Sequence, residues 1–158
     1  MKNITPCLWF NNNAEEAVNY YISIFKDSKI VNLSRYGKGA PMPEGTVLTI
    51  LFQLNGQDFM ALNGGPGFQF SEAISLFVDC ENQQEVDAFW DKLIADGGEE
   101  SQCGWLKDKF GLSWQIVPDA LGGLLSGPDP AKSQKVFDAL MQMKKIDVAT
   151  LQRAYEQA

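Results

Sequence analysis

The chain reads as one unit written twice. Shifting the sequence by 69 residues lays Asn13 on Asn82, Glu16 on Glu85 and Asp27 on Asp96. The same shift lays Ala17 on Val86, Tyr20 on Phe89, Tyr21 on Trp90 and Ile24 on Leu93. Helix cap, apolar stripe and helix stop therefore coincide in order. Gly56-Gln57-Asp58-Phe59 also lies over Gly111-Leu112-Ser113-Trp114, at a shift of 55, because the first half carries an extra Gly37–Gly45 loop. An ordered set of matches marks an internal duplication. Any fold proposed for this chain must be built from two like modules.

Each module predicts the same series of elements. In the first, Ile4 to Phe10 is an apolar run that reads as a strand, with Pro6 at an edge or irregular position. Asn13 with Glu16 three residues on has the form of a capping box. Ala14, Ala17, Val18, Tyr21, Ile24 and Phe25 make one helical stripe, ending near Lys26-Asp27. Strands are expected over Lys29–Tyr36, Thr46–Leu54 and Asp58–Leu62, with Asn55-Gly56 as a hairpin turn. In the second module a strand over Ala73–Asp79 precedes a helix capped by Asn82, with Val86, Phe89, Trp90, Leu93 and Ile94 as its stripe. Asp96-Gly97-Gly98 stops that helix. Strands are expected over Glu100–Leu106 and Leu112–Val117, joined by a solvated turn at Lys107-Asp108-Lys109.

After Pro118 the character changes. Gly122-Gly123 and Ser126–Pro130 read as turns. Ala131 to Met143 reads as a helix with Val136, Phe137, Leu140, Met141 and Met143 on its apolar side. Asp147 caps a last short helix containing Leu151 and Tyr155. Such a tail could cover a partner subunit or pack on its own domain.

Composition narrows the chemistry. Histidine is absent, which removes a Ser-His-Asp triad, a Cys-His dyad and any His-ligated metal. The net charge of −7 gives no electrostatic reason to bind nucleic acid. No stretch reaches the roughly 20 apolar residues that span a bilayer, and no membrane partner is expected. The N-terminal residues do not read as a signal peptide. The three cysteines, Cys7, Cys80 and Cys103, are odd in number and lack C-x-x-C spacing, so reduced thiols in the cytoplasm are expected.

Several stretches carry a family resemblance. They are Ile4-Thr5-Pro6, Asn13-Ala14-Glu15-Glu16-Ala17 with Tyr20-Tyr21 and Phe25, Gly56 to Pro66, and Gln102 to Gln115. Across roughly residues 3 to 120 the chain resembles the PhnB-like branch of the vicinal-oxygen-chelate superfamily, often labelled 3-demethylubiquinone-9 3-methyltransferase. That superfamily includes glyoxalase I and the extradiol dioxygenases. The resemblance implies an α+β, glyoxalase-like fold: two βαβββ modules, roughly 1–67 and 70–118, forming a cup-shaped mixed sheet within one domain over 1–158, with the helical tail at 119–158. It also implies a homodimer and a pocket for a small-molecule ligand. A methyl-donor site is not expected, since no glycine-rich loop follows a strand and opens a helix.

Metal-dependent members draw ligands from the first and last strand of each module. By module position those places fall here near Pro6, at Met60, near Ala73 and at Gln115. Such a set offers one amide oxygen and no strong donor for a hard cation, so neither a metal nor another cofactor is expected. Alternation should turn Phe59 and Trp114 toward the helices and Met60 and Gln115 into the cup.

Without a metal, Cys103 is the candidate for reactive chemistry, although a small buried hydrophobe is the simpler account of it. Trp9 and Trp105 could stack on a flat ligand, or serve as core or dimer contacts. Met60 would line the cup. Gln115, Ser75 and Asn63 could orient a polar ligand, or satisfy backbone groups at strand ends. Three functions follow: a metal-free binding protein, an enzyme working through Cys103 or through substrate polarisation, and a glyoxalase-like metalloenzyme with other ligands.

Overall fold

The computed structural model describes residues 3–158. The chain divides after Gln69 into two compact units, and the helical tail belongs with the second.

The first unit runs β1 (Cys7–Phe10), α1 (Ala14–Ile24), β2 (Lys29–Arg35), β3 (Val47–Leu54) and β4 (Gln57–Asn63). The strands form a sheet in the order β1-β4-β3-β2. The β1–β4 pair is parallel, and the other pairs are antiparallel. Burial alternates along β3 and β4 with period two, as one-sided packing requires. Ile50, Phe52, Phe59 and Ala61 make the buried face, and α1 packs on these strands through Ala14, Ala17, Val18, Tyr21 and Ile24. Burying a large apolar side chain stabilises by about 1.5–3 kcal/mol, so this stripe holds the unit together.

The second unit repeats that order. It runs β5 (Ser75–Cys80), α2 (Gln83–Ile94), β6 (Glu99–Glu100), β7 (Trp105–Lys107) and β8 (Ser113–Pro118). Its sheet has the order β5-β8-β7-β6, with β5 and β8 parallel. Val86, Trp90 and Leu93 are the buried residues of α2. The aligned stops behave alike: Asp27 and Asp96 both take positive φ, at 47° and 57°. The fold is therefore the α+β double βαβββ arrangement expected from the duplication.

The two helix starts differ. Asn82 caps α2, its Oδ1 accepting the Glu85 N–H at 3.0 Å. Glu85 reaches back to the Glu81 N–H at 2.9 Å, close to the expected capping box. Asn13 makes no side-chain cap bond. The Ala14 N–H is instead taken by Asn63 Oδ1 at 3.0 Å, from the end of β4. A residue brought in by the sheet has displaced the local cap.

Three other expectations are corrected. The strand expected over Glu100–Leu106 is broken by a turn at 101–104, where Cys103 takes φ 56° and Gly104 φ 85°. The Lys107–Lys109 turn is not simply solvated. Lys107 ends β7, and Asp108 is 3% exposed, because its carboxylate accepts the N–H groups of Phe110 and Leu112 and the Trp114 indole. Gly122-Gly123 lies inside α3 (Ala120–Leu125), whose Leu121 enters a small apolar core. That packing offsets the cost of two helical glycines. Element ends also move by a few residues: β1 begins at Cys7 rather than Ile4, and β5 at Ser75 rather than Ala73.

The tail continues with α4 (Pro130–Leu140) and α5 (Val148–Glu156), capped by Asp129 and Asp147. Leu121, Val136, Leu140, Ile146 and Leu151 form its core. Gln83 ties it to α2: its amide nitrogen donates to Ile146 O at 3.0 Å, and its oxygen accepts the Val148 N–H at 2.8 Å. Lys145 adds an ion pair to Asp87 at 3.0 Å. Gly104 leaves room for this tail, since a Cβ there would lie 2.7 Å from Ile146 Cδ1. No helix among the described residues is long and apolar enough to cross a membrane.

Candidate functional site

The site is built from the alternation of β8. Trp114 and Ile116 are buried, which turns Gln115 to the opposite face. Register places Phe77 on one side of Gln115 and Trp105 on the other. One residue pair along, Ser75, Ser113, Lys107 and Glu99 form a parallel row. An aromatic–amide–aromatic row thus lies beside a row of hydroxyl and charged groups.

The polar groups are held in place. Gln115 Nε2 donates to Ser75 Oγ at 2.8 Å, which fixes the amide. Lys107 pairs with Glu72 at 2.5 Å. That bond raises the lysine pKa above its ordinary value and lowers that of the Glu72 carboxyl. A hollow of about 150 Å³ is lined by Glu72, Glu99, Trp105, Lys107 and Ser113. Ser113 is 1% exposed, and its Oγ is buried without a hydrogen-bond partner. An orphaned buried hydroxyl is uncommon in a folded protein. Phe77 is 55% exposed, so the row opens outward.

Of the residues singled out in the sequence, Ser75, Trp105 and Gln115 come together here. Ser113, Lys107 and Phe77 were missed. Ser113 and Lys107 could have been found by counting back two residues from Gln115 and across the turn. Met60 lies in the first unit on the face opposite Phe59, with Cys7 and Leu51 beside it. Trp9 is on that face too but is pinned: its Nε1 donates to Gly65 O at 2.9 Å, and Phe68 packs edge-on at 4.9 Å. Asn63 is 2% exposed and spends its amide on Ala14 N–H and Val47 O. Cys103 leaves the sheet and turns toward the tail, its Sγ 3.6 Å from Leu140 O.

Neither a catalytic metal nor a methyl donor of the usual kind fits these residues. Register puts Cys7 beside Met60, and Phe77 beside Gln115, while Ala73 lies in the turn before β5. Two sulfurs in one unit, and an amide with an aromatic ring in the other, do not suit a hard divalent ion. Among the described residues no group of three or more His, Cys, Asp or Glu could hold a metal. The strand-to-helix junctions, Asn11–Asn13 and Glu81-Asn82, contain no glycine to bring backbone against a nucleotide.

The family model described as 3-demethylubiquinone-9 3-methyltransferase matches residues 2–117. The chain belongs to this family. A member from Bacillus cereus, described as a putative 3-demethylubiquinone-9 3-methyltransferase, PhnB protein, is 41% identical at TM-score 0.68. The match covers 74% of this chain and 99% of that one. The fold is shared more widely. Protein PA1353 of Pseudomonas aeruginosa is 19% identical at TM-score 0.61, covering 75% of this chain and 98% of that one. The fosfomycin resistance protein FosX of Listeria monocytogenes, solved with Mn(II) and sulfate, is 13% identical at TM-score 0.50, covering 72% and 86%. No curated protein matches. The match to the family model ends before α3, so the tail lies outside the part matched to the family.

Proposed function

We propose that this PhnB-like protein binds a small organic molecule on the open face of its second sheet, without a metal ion. The row Phe77–Gln115–Trp105 carries the reading. Two aromatic groups supply apolar area, and the amide between them, oriented by Ser75, selects a polar edge. Ser113 and Lys107 extend the polar side. The ligand class that suits this order is a flat or ring-containing molecule with a hydrogen-bonding group. Methyl transfer is not part of the proposal, because no residue set here suits the donor.

A homodimer belongs to the same proposal. Its support is β2, an edge strand with Ile30 and Val31 exposed at 38% and 49%. Exposed apolar side chains on an edge strand favour pairing with a second chain. Light scattering during gel filtration would read a mass of twice 17.5 kDa.

The binding test is a thermal-shift and calorimetry screen of ring-containing acids, amides and phenols. A ligand held at a hundred times its Kd adds about 2.7 kcal/mol to stability. Trp105→Ala and Gln115→Leu should each weaken such a ligand at least tenfold. Undiminished affinity in the double variant would overturn the assignment.

A further inference from the structure

We infer that the ligand of the open sheet face carries a primary or secondary organic ammonium group, seated in the hollow beside Ser113; this rests on the sheet-face reading and deepens it. The hollow is lined by three carboxylates, Glu72, Glu99 and Glu100, against one ammonium, Lys107. Lys107 is already matched by Glu72, and Glu100 is spent on the Trp90 indole and on Lys144. Glu99 is held by no ion pair or side-chain hydrogen bond among the described residues, and acts on Lys107 only through space. An entering anion would meet this surplus of negative charge, while a cation satisfies it.

Ser113 points to a ligand independently of the charge. Its Oγ is buried without a hydrogen-bond partner, and alternation puts it on the Gln115 face, where it lines the hollow. A buried hydroxyl left unpaired costs stability, so its presence is explained by a bond made when the hollow is filled. Beside it on β7 stands Lys107, its cross-strand neighbour, whose side chain is 36% exposed. The ligand ammonium takes the place of that flexible side chain, donating to Ser113 Oγ and to a carboxylate. A primary or secondary ammonium has the N–H groups to do both, and a quaternary one has none.

Size and spacing fit one ligand class. The hollow measures about 150 Å³, room for an ammonium and its alkyl stem. The Ser113 row stands two residues from the Phe77–Gln115–Trp105 row, about 7 Å along the strands. A ring on the aromatic row, joined by a short stem to an ammonium in the hollow, spans that gap. Trp105 serves both ends, since it also lines the hollow and an indole face attracts a cation. The class is an arylalkylamine.

The test is titration of nitrogen-15-labelled, full-length protein with 2-phenylethylamine, 2-phenylethanol and 3-phenylpropionate, read at the amides of Trp105, Lys107 and Ser113. The amine should bind about tenfold tighter than the alcohol or the acid. Its trimethylated form, which keeps the charge but has no N–H, should bind about threefold less tightly than the amine. Ser113→Ala removes an unpaired hydroxyl, so it keeps the fold, and it should erase that threefold difference. Lys107→Ala should tighten the amine about threefold, the reverse of its effect on an anion site. Alcohol or acid binding as tightly as the amine, Ser113→Ala leaving the threefold difference in place, or Lys107→Ala weakening the amine would overturn the inference and leave the sheet-face reading standing. Absence of any shift at these amides overturns the inference too, and the sheet-face reading is then judged by its own Trp105 and Gln115 variants.

Discussion

Asn63 caps the helix that begins at Ala14. Its Oδ1 accepts the Ala14 N–H at 3.0 Å, and its Nδ2 donates to Val47 O at 3.0 Å. One buried amide thus joins α1, β3 and β4. Asn63→Ala removes a cap and orphans a buried carbonyl, and should cost about 2–3 kcal/mol. Asn13→Ala should change stability by less than about 0.5 kcal/mol, and Asn82→Ala should cost about 1 kcal/mol. Urea unfolding of the three variants checks the order.

Asp108 does comparable work in the second unit. Its carboxylate receives the Phe110 and Leu112 N–H groups at 2.9 and 3.1 Å and the Trp114 indole at 2.9 Å. Asp108→Ala should destabilise by about 3 kcal/mol, since buried donors lose a charged acceptor. Near-ultraviolet circular dichroism should change with it, as Trp114 loses its fixed setting.

The tail should loosen on its own when Gln83 is replaced. Gln83→Leu removes both bonds to the Ile146–Val148 backbone, at a cost of about 1–3 kcal/mol. Hydrogen exchange should speed up in α5 while β3 and β4 keep their protection.

Acid should loosen the same region. The Asp87 carboxyl is held below its ordinary value, first by the Gln83 amide and then by Lys145. Asp147 is lowered by its bonds to Thr150. Depressed carboxyl pKa values contribute stability above the unfolded value, and that contribution is lost as pH falls through the folded ones. The window lies below about pH 4. Lys145 is raised, chiefly by its bond to Asp87, so its share persists to high pH and fades only above the ordinary lysine range. Asp87→Asn should flatten the acid limb of a stability–pH curve, measured by urea midpoints from pH 2.5 to 6.

The duplication was legible because caps, stripes and stops are local. Asp27 and Asp96 align in sequence and share a left-handed backbone. Alternation alone placed Gln115 and Met60 opposite the buried Trp114 and Phe59. What sequence could not supply were partners from afar. Asn13 looked like the cap because its competitor lies 49 residues from Ala14. Asp108 looked solvated because its burial depends on a neighbouring indole. Cys103 looked like a strand residue because nothing local announces a turn whose backbone bonds go to Met143 and Lys144.

The amide of Gln83 reads a carbonyl at Ile146 and an N–H at Val148, the two groups that flank a single intervening residue. Only one alignment of the tail satisfies both. Insertions or deletions between Met143 and Val148 should therefore be rejected in any homologue that keeps this glutamine. The Ser126–Asp129 connection carries no such double reading and can vary in length, so drift in this lineage should accumulate before α4 and stay scarce after it.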